Sequence, residues 1–288
     1  MESILRLKEV SKAYKKSDFR LEQISFSVPY GSIVGFVGEN GAGKSTTIGC
    51  VLNTISRDSG SIEAFGREMQ EQDVEIKQRI GVVYDGENFP GYYSAGQLSD
   101  IFRGIYERWD DALFQFYLKE FGLSKGQKIK TYSKGMTMKL AIAAALSHHP
   151  DLLILDEATS GLDPSMRDEM LDIFLDFVGT EKRSILFSTH ITSDLEKIAD
   201  YIVLIHKGKI LLTEEKDKIV YHYGVMRCGK GQFNAMEEND KIAWRRRDYQ
   251  IDVLVSDREK ILKKYPGTVV DHVSIDELVV LLTKGEKR

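Results

Sequence analysis

The chain has little with which to cross-link itself, cross a bilayer or coat a polyanion. Only two cysteines, Cys50 and Cys228, occur in its 288 residues. They have no metal-ligand spacing and make no disulfide framework, which points to a reducing compartment. The longest unbroken apolar run, residues 140–146, is far short of the ~20 residues a membrane helix needs. No segment is expected to span a membrane, so any membrane role must come through a partner. The opening stretch MESILRLKEV carries an early glutamate and no apolar run, and a secretion signal is not expected. An excess of positive charge is missing too: 40 Lys and Arg stand against 44 Asp and Glu, a net charge of −4. Chains that grip many nucleic-acid phosphates are usually more basic, so nucleic acid is not expected as the main partner. The 42% hydrophobic content is enough for a sizeable core, in one large domain or two unequal ones.

The apolar residues that are present fall into two kinds of strand. In QISFSV, Ile24, Phe26 and Val28 alternate with serines, the period of an antiparallel strand with one buried face. SIVGFVG (32–38), LLIL (152–155) and ILF (185–187) are apolar on both faces, as in a buried parallel sheet. The last two follow helical stretches and end in polar residues. Strands alternating with helices, with polar groups at the strand ends, predict an α/β fold whose ligand sits at the carboxyl edge.

Between these strands, residues 89–121 are rich in aromatics at helical spacing: Phe102, Tyr106, Trp109, Phe114, Tyr117 and Phe121. Such a stripe is usually the core of a small helical subdomain; part of it could instead form a docking groove. After Ile210 the character changes. YQIDVLV alternates, placing Tyr249, Ile251, Val253 and Val255 on one face. A short helix stopped at Pro266 and Gly267 follows, then the strand TVVDHV. A last helix has Ser274 and Glu277 as its capping box and Gly285 as its end. This reads as a small α+β accessory domain, 214–288. Its three consecutive arginines, 245–247, are expected at a solvated strand edge.

The strongest motif is GENGAGKST, residues 38–46, after a buried strand and opening a helix. In that context it is a phosphate-binding loop. Gly38, Asn40, Gly41, Ala42 and Gly43 supply backbone amides around a triphosphate; Lys44 reaches the β- and γ-phosphates; Ser45 offers its hydroxyl to Mg²⁺, with Thr46 beside it. LLILDEATSGLD brings Asp156 to a strand end, where a carboxylate can hold Mg²⁺ through water. Glu157 comes next, able to take a proton from an attacking water. FSTH puts His190 at the end of a further strand on the same edge, within expected reach of a γ-phosphate. YSKGM (132–136) is a second candidate anion site: Ser133, Lys134 and Gly135 precede a helix with Leu140, Ala141, Ala144 and Ala145 on one apolar face.

In this order and over residues 1–213, these motifs resemble the ATP-binding subunits of ABC transporters. The resemblance implies a P-loop NTPase core, a mostly parallel sheet with flanking helices. To it are added an N-terminal antiparallel β subdomain and a helical insertion at about 86–135. It implies ATP and Mg²⁺ as ligands, and ATP hydrolysis with Glu157, His190 and Asp85 as catalytic residues. Ser45, Asp85 and Asp156 would be the metal residues. Tyr14, in VSKAYKK, matches the position that stacks on adenine, and SGLD, ending in Asp163, matches the D-loop. YSKGM matches the signature turn, usually Leu-Ser-Gly-Gly-Gln, so Ser133 and Gly135 would close over ATP held by a second, head-to-tail subunit. Lys134 here stands for a glycine and Met136 for the glutamine. Where the family has a glutamine after the strand RIGVV, this chain has YDGENFPGYY. The role falls to Asp85, one methylene shorter and negative, or to Glu87; Asp85 is the expected one.

The resemblance implies a separate transmembrane permease as partner and a homo- or heterodimer of ATP-binding subunits, at the cytoplasmic face of the cell membrane. Within the family the chain looks most like bacterial exporters of the bacitracin-resistance type. The alternatives are a soluble ABC-type ATPase and a low-turnover nucleotide-binding regulator.

Overall fold

The computed structural model describes residues 2–70, 72–86, 88–179 and 182–287. The chain opens with β1 (Ser3–Ala13) and β2 (Arg20–Pro29), then the buried strand β3 (Ile33–Val37) and α1 (Lys44–Val51). After β4 (Ser59–Ala64), β5 (Arg67–Glu68) and α2 (Val74–Gln78) it returns through β6 (Ile80–Tyr84). It then leaves into α3 (Ala95–Arg103), α4 (Asp111–Glu120) and α5 (Lys134–Leu146). Next come β7 (Leu152–Asp156), α6 (Pro164–Val178), β8 (Ser184–Thr189), α7 (Thr192–Ile198), β9 (Tyr201–His206) and β10 (Lys209–Glu215). The remainder is α8 (Lys216–His222), β11 (Gly224–Cys228), α9 (Lys230–Ala235), β12 (Ala243–Arg246) and β13 (Ile251–Val255). It closes with α10 (Arg258–Lys264), β14 (Val269–His272), α11 (Ile275–Lys284) and β15 (Glu286–Lys287).

Three sheets result. The central one has the order β10-β9-β3-β8-β7-β6; all its pairings are parallel except β10 with β9. Its strands are apolar on both faces because both faces are covered. Ile33, Val37, Leu153, Leu155, Ile185 and Phe187 point to one core with α5, whereas Val34, Phe36, Ile154 and Leu186 point to the other. That second core is shared with the antiparallel sheet β2-β1-β4-β5, whose Phe26 stacks on Phe36 at 5.2 Å between ring centres. The alternating serines of β2 explain its antiparallel, one-sided character.

The helical insertion buries its aromatic stripe. Phe114 and Phe121 are buried in the main core, and Phe102, Tyr106, Trp109 and Tyr117 lie against it or against their neighbours. Exposed apolar side chains remain at Tyr92, Ile101, Ile105 and Phe116. Helix α5 differs from its expected single face: every residue from Leu140 to Leu146 is buried. It is wedged between α4 and the sheet edge at β6, and its alanines allow that close approach.

The third sheet, β14-β11-β13-β12-β15, is antiparallel throughout. Here the alternation in YQIDVLV misleads. All five residues of β13 are buried, and Tyr249, outside the strand, is 98% exposed. The sheet is covered on both sides: Ile251, Val253 and Val255 face a local cluster with α10, while Leu254 joins the main core beneath α11. The arginine run lies exposed along the open part of that edge, as expected, because β15 pairs only with Ala243 and Trp244 of β12. Arg246 pairs with Glu286 at 3.3 Å and Arg247 with Asp252 at 2.6 Å. Helix α11 has the expected capping box of Ser274 and Glu277. It packs on α7 and contributes Ile275, Leu278, Leu281 and Leu282 to the main core. Among the described residues, no helix is long and apolar enough to cross a membrane.

Candidate nucleotide site

Parallel strands β3, β7 and β8 deliver their carboxyl ends to one edge, and the loops leaving that edge build the site. The phosphate loop runs from the end of β3 into α1. Gly43, which precedes the helix, has φ 117°, and a Cβ there would lie 2.6 Å from Leu21 Cδ2, so only glycine fits both the torsion and the packing. Asn40, Gly41, Gly43, Lys44, Ser45 and Thr46 line a cavity of about 360 Å³ together with Glu157 and Phe19. Gly41, at φ 80°, opens onto free space. Gly38 and Ala42 are buried behind the cavity.

Lys44 is only 5% exposed, and its ammonium donates to the Gly38 carbonyl at 2.7 Å. It also lies 3.0 Å from Glu157 Oε1, an ion pair without hydrogen-bond alignment. The other oxygen, Oε2, contacts His190 Nδ1 at 2.7 Å. Glu157 therefore stands between a buried cation and an imidazole. Its backbone is in the left-handed region, φ 55°, a torsion that costs about 1 kcal/mol or more in a residue with a side chain. The backbone N–H of Glu157 donating to Ser188 O at 2.8 Å holds it there. Strain of this sort concentrates where a side chain must be aimed.

Asp156, 6% exposed, accepts from Ser188 Oγ at 2.8 Å. The hydroxyl of Ser45 and the carboxylate of Asp156 form the all-oxygen donor set that Mg²⁺ takes, so these residues fit that ion. The loop, with Gly41 and Gly43 at its rim and one buried ammonium, fits a triphosphate.

Other expected residues lie elsewhere. Tyr14 is just past β1, 37% exposed, with the Lys12 ammonium 5.9 Å from its ring centre; the aromatic in the phosphate-loop cavity is Phe19. Ser133 caps α5, accepting from the Met136 amide at 3.2 Å, and Asp163 caps α6, accepting from the Met166 amide at 3.0 Å. A Cβ on Gly135 would fall 2.5 Å from Met166 Sδ, so the two helix starts pack directly together. Asp85 is paired with Lys134, Nζ to Oδ1 2.9 Å, and is not among the residues lining the cavity. Glu87 lies outside the described residues.

Two features went unread in the sequence. Phe19 sits in a polar stretch, KKSDF, that carried no periodic signal. Asp194 is 2% exposed and accepts from Thr159 Oγ1 at 2.7 Å, tying the turn after β7 to the helix after His190. Burial pushes its carboxyl above the usual range, against the Thr159 hydrogen bond that pulls it down.

Comparison with known proteins agrees with this geometry. The family model described as ABC transporter matches residues 21–160. The bacitracin transport ATP-binding protein BcrA of Bacillus licheniformis is 35% identical over 216 residues, covering 73% of this chain and 69% of BcrA. The chain belongs to the ABC transporter ATP-binding family. It is an ATP-binding subunit of that family, with the α/β P-loop fold expected of it. An uncharacterized ABC transporter ATP-binding protein of Bacillus subtilis, YdbJ, is 32% identical over 192 residues. That match covers 66% of this chain and 62% of YdbJ, so the chain spans less than two thirds of that relative's length. A solved structure of an ATP-binding subunit of an ABC transporter superposes with a TM-score of 0.69 at 26% identity, over 75% of this chain and 92% of the other.

Proposed function

We propose that this subunit hydrolyses ATP to drive a separate transmembrane permease, as an exporter, from the cytoplasmic face of the cell membrane. The observation that carries the chemistry is Glu157, strained at the end of a buried strand with one oxygen on Lys44 and the other on His190. When ATP binds, Lys44 exchanges the Glu157 carboxylate for the β- and γ-phosphates, and the backbone amides of residues 38–43 cradle the tail. Glu157, freed from Lys44 but still beside His190, orients the attacking water and takes its proton; His190 steadies the γ-phosphate. Mg²⁺, held by Ser45 and by Asp156 through water, would offset phosphate charge. Tyr14 and Phe19 supply the aromatic edge for the base.

The second anion site belongs to the opposite protomer's nucleotide. Ser133 and Gly135 stand at the amino end of α5, thirteen residues long, where free N–H groups and the helix dipole favour an anion. Two subunits packed head to tail, with Asp163 near the seam, would each cap the other's ATP, and hydrolysis would release them. The permease would grip the helical insertion, where Tyr92, Ile101 and Ile105 stay exposed. Residues 214–288 are proposed as an accessory unit docked on α7. BcrA is named for bacitracin transport, which supports transport as the role here. An ATPase acting apart from a membrane, or a low-turnover regulator, is not favoured.

The test is Glu157→Gln, which should bind ATP, fail to turn it over and elute from gel filtration as a lasting dimer with ATP. Monomers alone at saturating ATP would refute the head-to-tail pairing.

A further inference from the structure

Two charged residues from distant parts of the chain meet beside the site. Lys134 opens α5, and its ammonium is 2.9 Å from Asp85 Oδ1 in the loop after β6. It also reaches the turn after β7: a Cβ on Gly161, φ 70°, would be 3.0 Å from the same nitrogen. A cation in the first turn of a helix opposes the helix dipole, so α5 gains nothing from Lys134 by itself. The compensating carboxylate is Asp85, and it lies one residue beyond Tyr84, which is paired with Asp156 in the sheet. The chain of contacts thus runs from the strand end carrying Asp156, through Asp85 and Lys134, to the helix start bearing Ser133 and Gly135.

We infer that Asp85 and Lys134 form a positioning link by which the nucleotide edge of one protomer sets the posture of its own signature turn. The link rests on the head-to-tail reading above, in which that turn serves the other protomer's ATP. It gives Asp85 a role through Lys134 and not at the metal. Both side chains are nearly half exposed, 46% and 43%, so the pair is a trimming device worth a few-fold in an equilibrium and not a structural lock.

The experiment is a double-mutant cycle of Asp85→Ala and Lys134→Ala with two readouts. In the nucleotide-free protein, hydrogen exchange of the Thr137 and Met138 amides should speed up about threefold in Asp85→Ala, which leaves the Lys134 cation uncompensated, and return to about the wild-type rate when Lys134→Ala is added. Lys134→Arg should keep the wild-type rate. In the Glu157→Gln background, half-saturating ATP for dimer formation should rise by a similar factor, roughly threefold, again without additivity. Additive effects, unchanged exchange in Asp85→Ala, or easier dimerisation when the pair is broken would overturn the link. If Glu157→Gln never dimerises, the head-to-tail reading fails and the dimer-level role goes with it; the exchange data then decide separately whether Asp85 holds Lys134 and the helix start.

Discussion

Replacing Glu157 by glutamine should weaken the empty protein and strengthen its grip on ATP at once. The Lys44 and Glu157 side chains are 5% and 13% exposed, and their charged ends lie 3.0 Å apart. Removing one member of a buried pair outright costs about 3–5 kcal/mol because the other is left charged and unpaired. Glutamine keeps the shape and a carbonyl acceptor, and Lys44 retains the Gly38 carbonyl, so the loss should be smaller, about 1–3 kcal/mol. For a chain of this size that lowers the nucleotide-free Tm by about 2–5 °C. In the ATP-bound protein the phosphates take over Lys44, so the penalty vanishes and reappears as affinity, about tenfold per 1.4 kcal/mol. Turnover should fall by roughly 10²–10⁴ as the proton acceptor is lost. Thermal unfolding with and without Mg-ATP, a direct ATP titration and a phosphate-release assay read the three quantities. An unchanged Tm with unchanged ATP affinity would show that Lys44 does not depend on Glu157, and the partner exchange would be wrong.

Two further outcomes separate neighbouring ideas. Phe19→Ala should raise the Kd for ATP by about 3–10-fold, the worth of one aromatic contact, and Tyr14→Ala measured beside it shows whether the adenine edge is Phe19, Tyr14 or both. The second concerns His148, 1% exposed and stacked on Tyr106 at 4.0 Å. Burial, the largest cause, lowers its pKa from 6.5, against the hydrogen bond to the Ile80 carbonyl that raises it. The unfolded chain therefore binds the extra proton first, and stability should decline as pH falls below about 6.5 toward the depressed folded value. His148→Gln should flatten that slope in denaturant melts between pH 7 and pH 5; an unaltered slope would assign it to other groups.

Much of the site was legible because its chemistry is local. GENGAGKST places its glycines, lysine and hydroxyl within one turn, and LLILD announces both the buried strand and the carboxylate at its end. Glu157 could be named from its position, but its left-handed backbone and its two partners depend on β8 and on Lys44, which only the sheet brings alongside. The pairing of Asp85 with Lys134 was hidden for the same reason: the first looked like a metal residue and the second like an unusual signature lysine. Phe19 escaped because a lone aromatic in a charged stretch has no period. In β13, alternation suggested one buried face, whereas α11 covers the other; a strand's second neighbour cannot be read from the strand.

The seating of α11 carries a practical consequence for anyone dissecting this subunit. Its Ile275 amide donates to Glu196 Oε1 at 2.9 Å, on the helix that begins two residues after His190, and Lys284 reaches Glu39 of the phosphate loop at 3.4 Å. Cutting the chain near residue 213 would bare the part of the main core that Ile275, Leu278, Leu281 and Leu282 cover. A shortened ATPase is thus a poor surrogate for kinetic work, and altered turnover in it would report a stripped wall before it reported any missing regulation.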